Sequence, residues 1–187
     1  QVGSSAASDV YKRQYKGLIM AILISPMIVP LIITAAGMFF FYARINLVYT
    51  FTGVILAHVA LATPFVVITV TATLVGFDMN MVKAAQSLGA KPMRTFFKVI
   101  MPLILPGIIS GALFAFITSF DEVVIVMFMA SIDQLTIPKQ MWAGIRQEIS
   151  PVILCMATCL VLLSIFLLTT VELLRRRSEK LRGIKAR

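Results

Sequence analysis

Residues 83–102 read KAAQSLGAKPMRTFFKVIMP, and nearly everything on either side of them is apolar. Upstream runs LVYTFTGVILAHVALATPFVVITVTATLVG (47–76); downstream runs ILPGIISGALFAFITSFDEVVIVMFMA (104–130). Each exceeds the roughly 20 residues that carry a helix across hydrocarbon. The basic stretch, with Lys83, Lys91, Arg94 and Lys98, is therefore a polar connection between two predicted spans. Two more runs reach the same length, 17–43 and 151–174. Strands are disfavoured, because a barrel would show short segments of alternating polarity and none occur. The expected fold class is an all-α polytopic membrane protein with four transmembrane helices. Composition agrees: of 187 residues 59% are hydrophobic and 13% charged, with mean hydropathy +0.96. Soluble domains average roughly 25% charged residues, so no separate soluble domain is expected.

The cations orient the spans. Lys12, Arg13 and Lys16 precede the first, and the four of the opening stretch follow the second. Arg175, Arg176, Arg177, Lys180, Arg182, Lys185 and Arg187 follow the fourth. These 14 of the 17 cations fall on one side, leaving Arg44, Lys139 and Arg146 on the other. The positive-inside rule places the majority in the cytoplasm. The net charge of +9 is thus a topology signal, and the tail RRRSEKLRGIKAR is a stop-transfer anchor near anionic lipid rather than a nucleic-acid site. Residues 1–14, QVGSSAASDVYKRQ, lack an apolar core and are expected to be a non-native leader. The transmembrane domain is expected over 15–177 and a basic cytoplasmic tail over 178–187.

Within 78–102 the spacing of Met81, Ala84, Ala85 and Leu88 predicts a short helix. Gly89 supplies left-handed geometry to end it, and Pro92 suits the first position of a second helix. Met93, Phe96, Phe97 and Ile100 give that helix an apolar side, with Arg94, Thr95 and Lys98 opposite. Pro102 and Pro106 are expected to bend the chain into the third span. Such a segment either rests on lipid as an interfacial helix or docks a soluble partner through an apolar helix face.

The same residues resemble the EAA-type signature of ABC-importer permease subunits, roughly E-A-A-x-x-x-G-A-x-x-x-x-x-F-x-x-I-x-L-P. Ala84, Ala85, Gly89, Ala90, Phe96, Val99 or Ile100, and Pro102 match it. Lys83 departs from it, reversing the charge of the family's first acid. LISPMIVPLIITAAGMFFFYARI (23–45) looks like the Pro-containing third helix of such permeases. SFDEVVIVMFM (119–129) and LTIPKQMWAGIRQEISPVI (135–153) look like the spermidine/putrescine-type branch. The resemblance implies a type I ABC importer permease of a bacterial inner membrane, with six spans of which this chain holds the last four. It implies that 78–102 is the coupling loop seated on a cytoplasmic ATPase dimer. It also implies a second permease subunit, related or identical, and a substrate-binding protein at the outer face. ATP and magnesium would be bound by the ATPase, so no cofactor is expected on this chain. The cargo would be a polyamine or another small solute, such as an amino-acid-like or other organic ion.

Other residues carry their own alternatives. Asp121 and Glu122 are the only acids well inside a predicted span, where charge is costly and faces a cavity or a partner. Either one caps a helix or pairs with Lys139 or Arg146, or at least one lines the substrate pathway. His58, alone in the second span, is expected to be a hydrogen-bonded packing residue. Gly107-x-x-x-Gly111 permits close helix packing, within the chain or between subunits. Cys155 and Cys159 are apolar filler, since two ligands make no closed metal site. Pro26, Pro30 and Pro64 are expected to kink their helices. Residues 131–150 form the longest outer loop, with Trp142 at headgroup level. No G-x-x-x-x-G-K-[ST], H-E-x-x-H or G-x-S-x-G motif occurs. A channel or structural membrane subunit is the remaining alternative to a permease.

Overall fold

The computed structural model describes residues 2–147 and 151–181, with side chains for 15–146, 151–170, 172 and 173. The described chain is helical throughout its regular elements. These are α1 (Val2–Ile28), α2 (Leu31–Arg44), α3 (Phe51–Val75), α4 (Met79–Ser87), α5 (Pro92–Thr95), a π turn (Phe96–Ile100), α6 (Met101–Phe120), α7 (Val124–Met129), α8 (Ile137–Gln147) and α9 (Pro151–Leu181). Phe51–Val75, Pro92–Phe120 and Pro151–Thr170 are each long and apolar enough to cross a membrane. The helix α1 passes through the expected leader boundary at residue 14 without a break, and the part of the tail beyond Leu181 lies outside the described residues.

The first expected span is not one kinked helix. Tyr15–Ile28 and Leu31–Arg44 meet at 112°. Pro30 is extended, with φ −53° and ψ 132°. It lacks an N–H and turns the preceding residue away from helical geometry, so the ladder ends there. Pro26 and Pro64 remain inside their helices.

The third expected span differs at both ends. The helix does not break at Pro102 or Pro106; it runs from Pro92 to Phe120. The lost hydrogen bond at Pro102 is absorbed just upstream, where the Met101 N–H donates to Phe96 O across a π turn. Widening one turn gives the proline ring room that an α turn denies it. At the outer end the helix stops at Phe120, and Asp121 to Val123 form a break before α7. The two acids therefore lie in a loop, not on a helix as expected.

The pair α3 and α6 forms the centre. His58 meets Ser119, Val66 meets Gly111 and Thr73 meets Gly107, so the helices run antiparallel. This places the G-x-x-x-G motif inside the chain, against α3. A Cβ on Gly111 would press on Val66 Cα at 3.0 Å and on the Thr69 hydroxyl; one on Gly107 would meet Thr73 and the Thr69 carbonyl. Thr69 and Thr73 donate to the carbonyls of Phe65 and Thr69, at 2.8 and 2.9 Å, so their hydroxyls are satisfied within α3. Such back-bonding keeps polar atoms paired where lipid supplies no partner.

The short α7 wedges between α2 and α3. Ile125 and Met129 are fully buried with Ala35, Ala57 and Leu61, flanked by Phe39, Tyr42 and Phe128. The α2–α3 turn is fastened to this wedge: the Tyr49 N–H donates to Met129 O at 2.9 Å, and the Gln134 side chain donates to Tyr49 O at 3.2 Å. Asn46, at φ 55°, closes α2 with Leu47 N–H on Tyr42 O at 2.9 Å.

Topology gives a direct check. In a background lacking Cys155 and Cys159, so that the introduced thiol is the sole target, a cysteine at Asp133 should label from outside intact cells and one at Ser87 should not. The reverse pattern would invert the orientation taken from the cations.

Candidate functional site

Two regions gather the residues singled out above, one at each end of the α3–α6 pair. At the cytoplasmic end Asp78 opens α4, its carboxylate accepting from Asn80 N–H at 2.9 Å. Such a side chain satisfies an N–H that the helix leaves orphaned. The far end of α4 closes with Gly89 at φ 79°. The Gly89 N–H donates to Gln86 O at 2.9 Å and the Ala90 N–H to Ala85 O at 3.0 Å. This pair of bonds is a Schellman turn. It assigns local roles to three residues of the matched signature: Ala85 supplies the carbonyl, Gly89 the left-handed residue, and Ala90 the closing N–H. Lys91 is extended before Pro92, which starts the next helix. Thr95 is buried and donates to Lys91 O at 3.2 Å.

The surface of this loop is not covered by the chain's own packing. Of its α4 side chains only Val82 is buried. Leu88 is 89% exposed and Met93 69%, and Lys83, Ala84, Phe96 and Pro102 are exposed as well. The apolar stripe points outward, as both a lipid-facing and a partner-facing helix require, with Lys83, Lys91, Arg94 and Lys98 around it. Leu88 sits at the last position before the left-handed turn, where the backbone leaves the helix; helical spacing alone does not distinguish that position from a packed one.

At the outer end the two acids part company. Glu122 is buried, and its carboxylate accepts from the Ile125 N–H at 2.8 Å in the first turn of α7. Asp121 is exposed and ends α6, its N–H on Ile117 O at 3.1 Å. It borders a groove of about 570 Å3 between α6, α8 and α9, whose walls include Phe116, Phe120, Trp142 and Leu168. Lys139, a suggested partner for the acids, donates instead to Ala130 O at 3.5 Å. His58 lies 2.9 Å from Ser119, Nδ1 to Oγ, on a cavity of about 590 Å3 bounded by α3, α6 and residues 135–138. The sequence offered no signal for Ser119: the two residues lie 61 positions apart. Among the described residues no cluster of His, Cys, Asp and Glu could hold a metal ion.

A helical hairpin carrying an outward-facing basic loop, together with a broken span, defines a polytopic membrane protein of the helical class. The family model described as "Binding-protein-dependent transport system inner membrane component" matches residues 2–180, and the chain belongs to that family. It is a multi-pass inner-membrane permease component of an ABC importer. Among its relatives is the spermidine/putrescine transport system permease protein PotC of Haemophilus influenzae, 29% identical over 180 residues, covering 95% of this chain and 70% of the relative. PotC of Escherichia coli K12 is 28% identical over 96% of this chain and 69% of its own. The putrescine permease PotI of the same strain is 37% identical over 103 residues, 55% of this chain and 37% of PotI. The fold is also that of a chain in the inward-facing MetNI methionine ABC transporter, with TM-score 0.72 at 18% identity, over 92% of this chain and 78% of that one.

Proposed function

We propose that this permease passes a polyamine-like cation, and that Asp121 meets the cargo at the outer end of α6. The observation that carries this is the separation of the two acids: Glu122 is committed to the α7 cap, whereas Asp121 is exposed on an apolar groove. The names of PotC and PotI support the choice of cargo. A carboxylate facing an amine offsets part of the amine's desolvation, and an anion would be repelled at the same place. Energy comes from a separate ATPase dimer that binds ATP and magnesium and seats the 78–102 loop. A second permease, related or identical, completes the pathway, and a substrate-binding protein delivers cargo to the outer face. Nucleotide-driven movement of the loop then alternates the outward and inward openings.

Uptake of radiolabelled spermidine or putrescine by the intact transporter tests the assignment. Asp121→Asn should lower uptake about tenfold at equal abundance, the scale of losing one hydrogen bond to a charged group. Glu122→Gln keeps an acceptor for Ile125 and should transport near the parent rate. Glu122→Ala should lower thermal stability instead, by about 1–2 kcal/mol for a lost cap. Parent-rate uptake by Asp121→Asn, or an anionic cargo on the binding protein, would remove Asp121 from the pathway.

A further inference from the structure

Three cations fall on the outer side of this chain, and two of them share one small site. Lys139 and Arg146 lie seven residues apart on α8, with Trp142 and Ala143 between them at helical spacing. Residues at i, i+3, i+4 and i+7 share a helix face. With Met127 of α7 they enclose a hollow of about 370 Å3. Ala143, which lies between the two basic residues in sequence, lines the hollow, and the hydrogen bond from Lys139 to Ala130 O holds that ammonium toward α7. Trp142 borders both this hollow and the apolar groove that carries Asp121. The carboxylate lines only the groove and the two cations only the hollow, with Trp142 common to both.

We infer that the Lys139–Trp142–Ala143–Arg146 face binds the phosphate of an anionic phospholipid of the outer leaflet. Three observations select that occupant. The face is basic and has no acid among its lining residues, so the phosphate is matched in charge. The helix ends four residues before Pro151, where a span begins, so it lies at the boundary between water and hydrocarbon. Tryptophan is the residue enriched at that level. Apolar side chains continue inward from it: Ile145, Val152 and Leu154 are exposed, as an acyl chain beside the headgroup requires. Outer-face cations are disfavoured by the positive-inside rule, and convergence of two of the three on one hollow gives them a local use. The Asp121 carboxylate lines the neighbouring groove and would repel a phosphate there, which leaves the basic hollow as the place for the headgroup.

Trp142 is the only tryptophan of the chain and reports on its own site. The purified full chain, in phosphatidylcholine nanodiscs doped with brominated phosphatidylglycerol or with brominated phosphatidylcholine, provides the measurement. Phosphatidylglycerol should quench Trp142 at lower mole fraction. Lys139→Gln and Arg146→Gln should each weaken that preference about fivefold, the scale for one basic residue near an anionic surface. Ala143→Leu, which fills the hollow and leaves the charges in place, should weaken it too. Equal quenching by the two lipids, or a preference that survives both Gln variants, would overturn the site. Reversal of the quenching by millimolar inorganic phosphate would overturn the lipid as its occupant. None of these readouts involves transport, so their failure is separable from failure of the cargo assignment.

Discussion

Gly111→Leu should prevent stable association of α3 with α6 and leave little folded permease in the membrane. Even the Cβ of alanine would sit 3.0 Å from Val66 Cα, a backbone atom that cannot rotate aside. Overpacking of this kind costs about 1–3 kcal/mol where neighbours can shift. A leucine adds three more carbons at a seam whose attraction depends on close approach, because lipid supplies no hydrophobic drive between helices. Gly37→Leu is the control: its Cβ meets nothing within 4 Å. In detergent, thermal midpoint and monodisperse yield should fall sharply for Gly111→Leu and hardly at all for Gly37→Leu. Equal midpoints for the two would mean that the seam does not hold the hairpin together.

Gly89→Val should leave insertion and abundance intact while lowering transport at least tenfold, with ATP hydrolysis no longer matched to uptake. The effect is conformational, since nothing lies within 4 Å of the position a Cβ would take. At φ 79° an L residue is strained by about 1–2 kcal/mol, and β-branching stiffens the side chain further. Relief comes by unwinding the turn, which moves Leu88 and Lys91 relative to each other. A graded series checks that cause. Asparagine tolerates left-handed geometry, as Asn46 does at the end of α2, so transport should decline in the order Gly, Asn, Ala, Val. A flat series at equal abundance would remove Gly89 from any coupling role.

Local chemistry made the loop legible. Gly89 before a basic, proline-started segment admits few backbone solutions, and the turn is where the spacing predicts it. The apolar runs gave α3 and α9 as spans for the same reason: length and hydropathy decide crossing. What was not legible depended on distant residues. Pro26, Pro30 and Pro64 are chemically alike, yet only Pro30 breaks its helix; downstream of it Ala35 is buried against Ala57 in the cluster that holds α7. Residues 104–130 are apolar on both sides of Asp121 and Glu122, so hydropathy averaged over the run did not reveal that Val124–Met129 forms a separate wedge. That wedge sets the fates of Asp121 and Glu122, which adjacency in sequence left equivalent. The exposure of Leu88 fits both readings of the loop, since a stripe made for lipid and one made for a partner protein have the same period.

The clasp between α3 and α6 has a mechanical meaning. Both helices bordering the 78–102 loop belong to one pinned pair, so a push on the loop cannot splay them without lifting Gly107 and Gly111 off Thr69 and Val66. It must rock them together. Gly111 stands near the midpoint of α6, about 15 Å from Met101 and about 14 Å from Phe120 at 1.5 Å per residue. The hairpin is a stiff lever clamped near its middle, whose loop end and Asp121 end keep a fixed relation to each other for as long as the glycine seam holds.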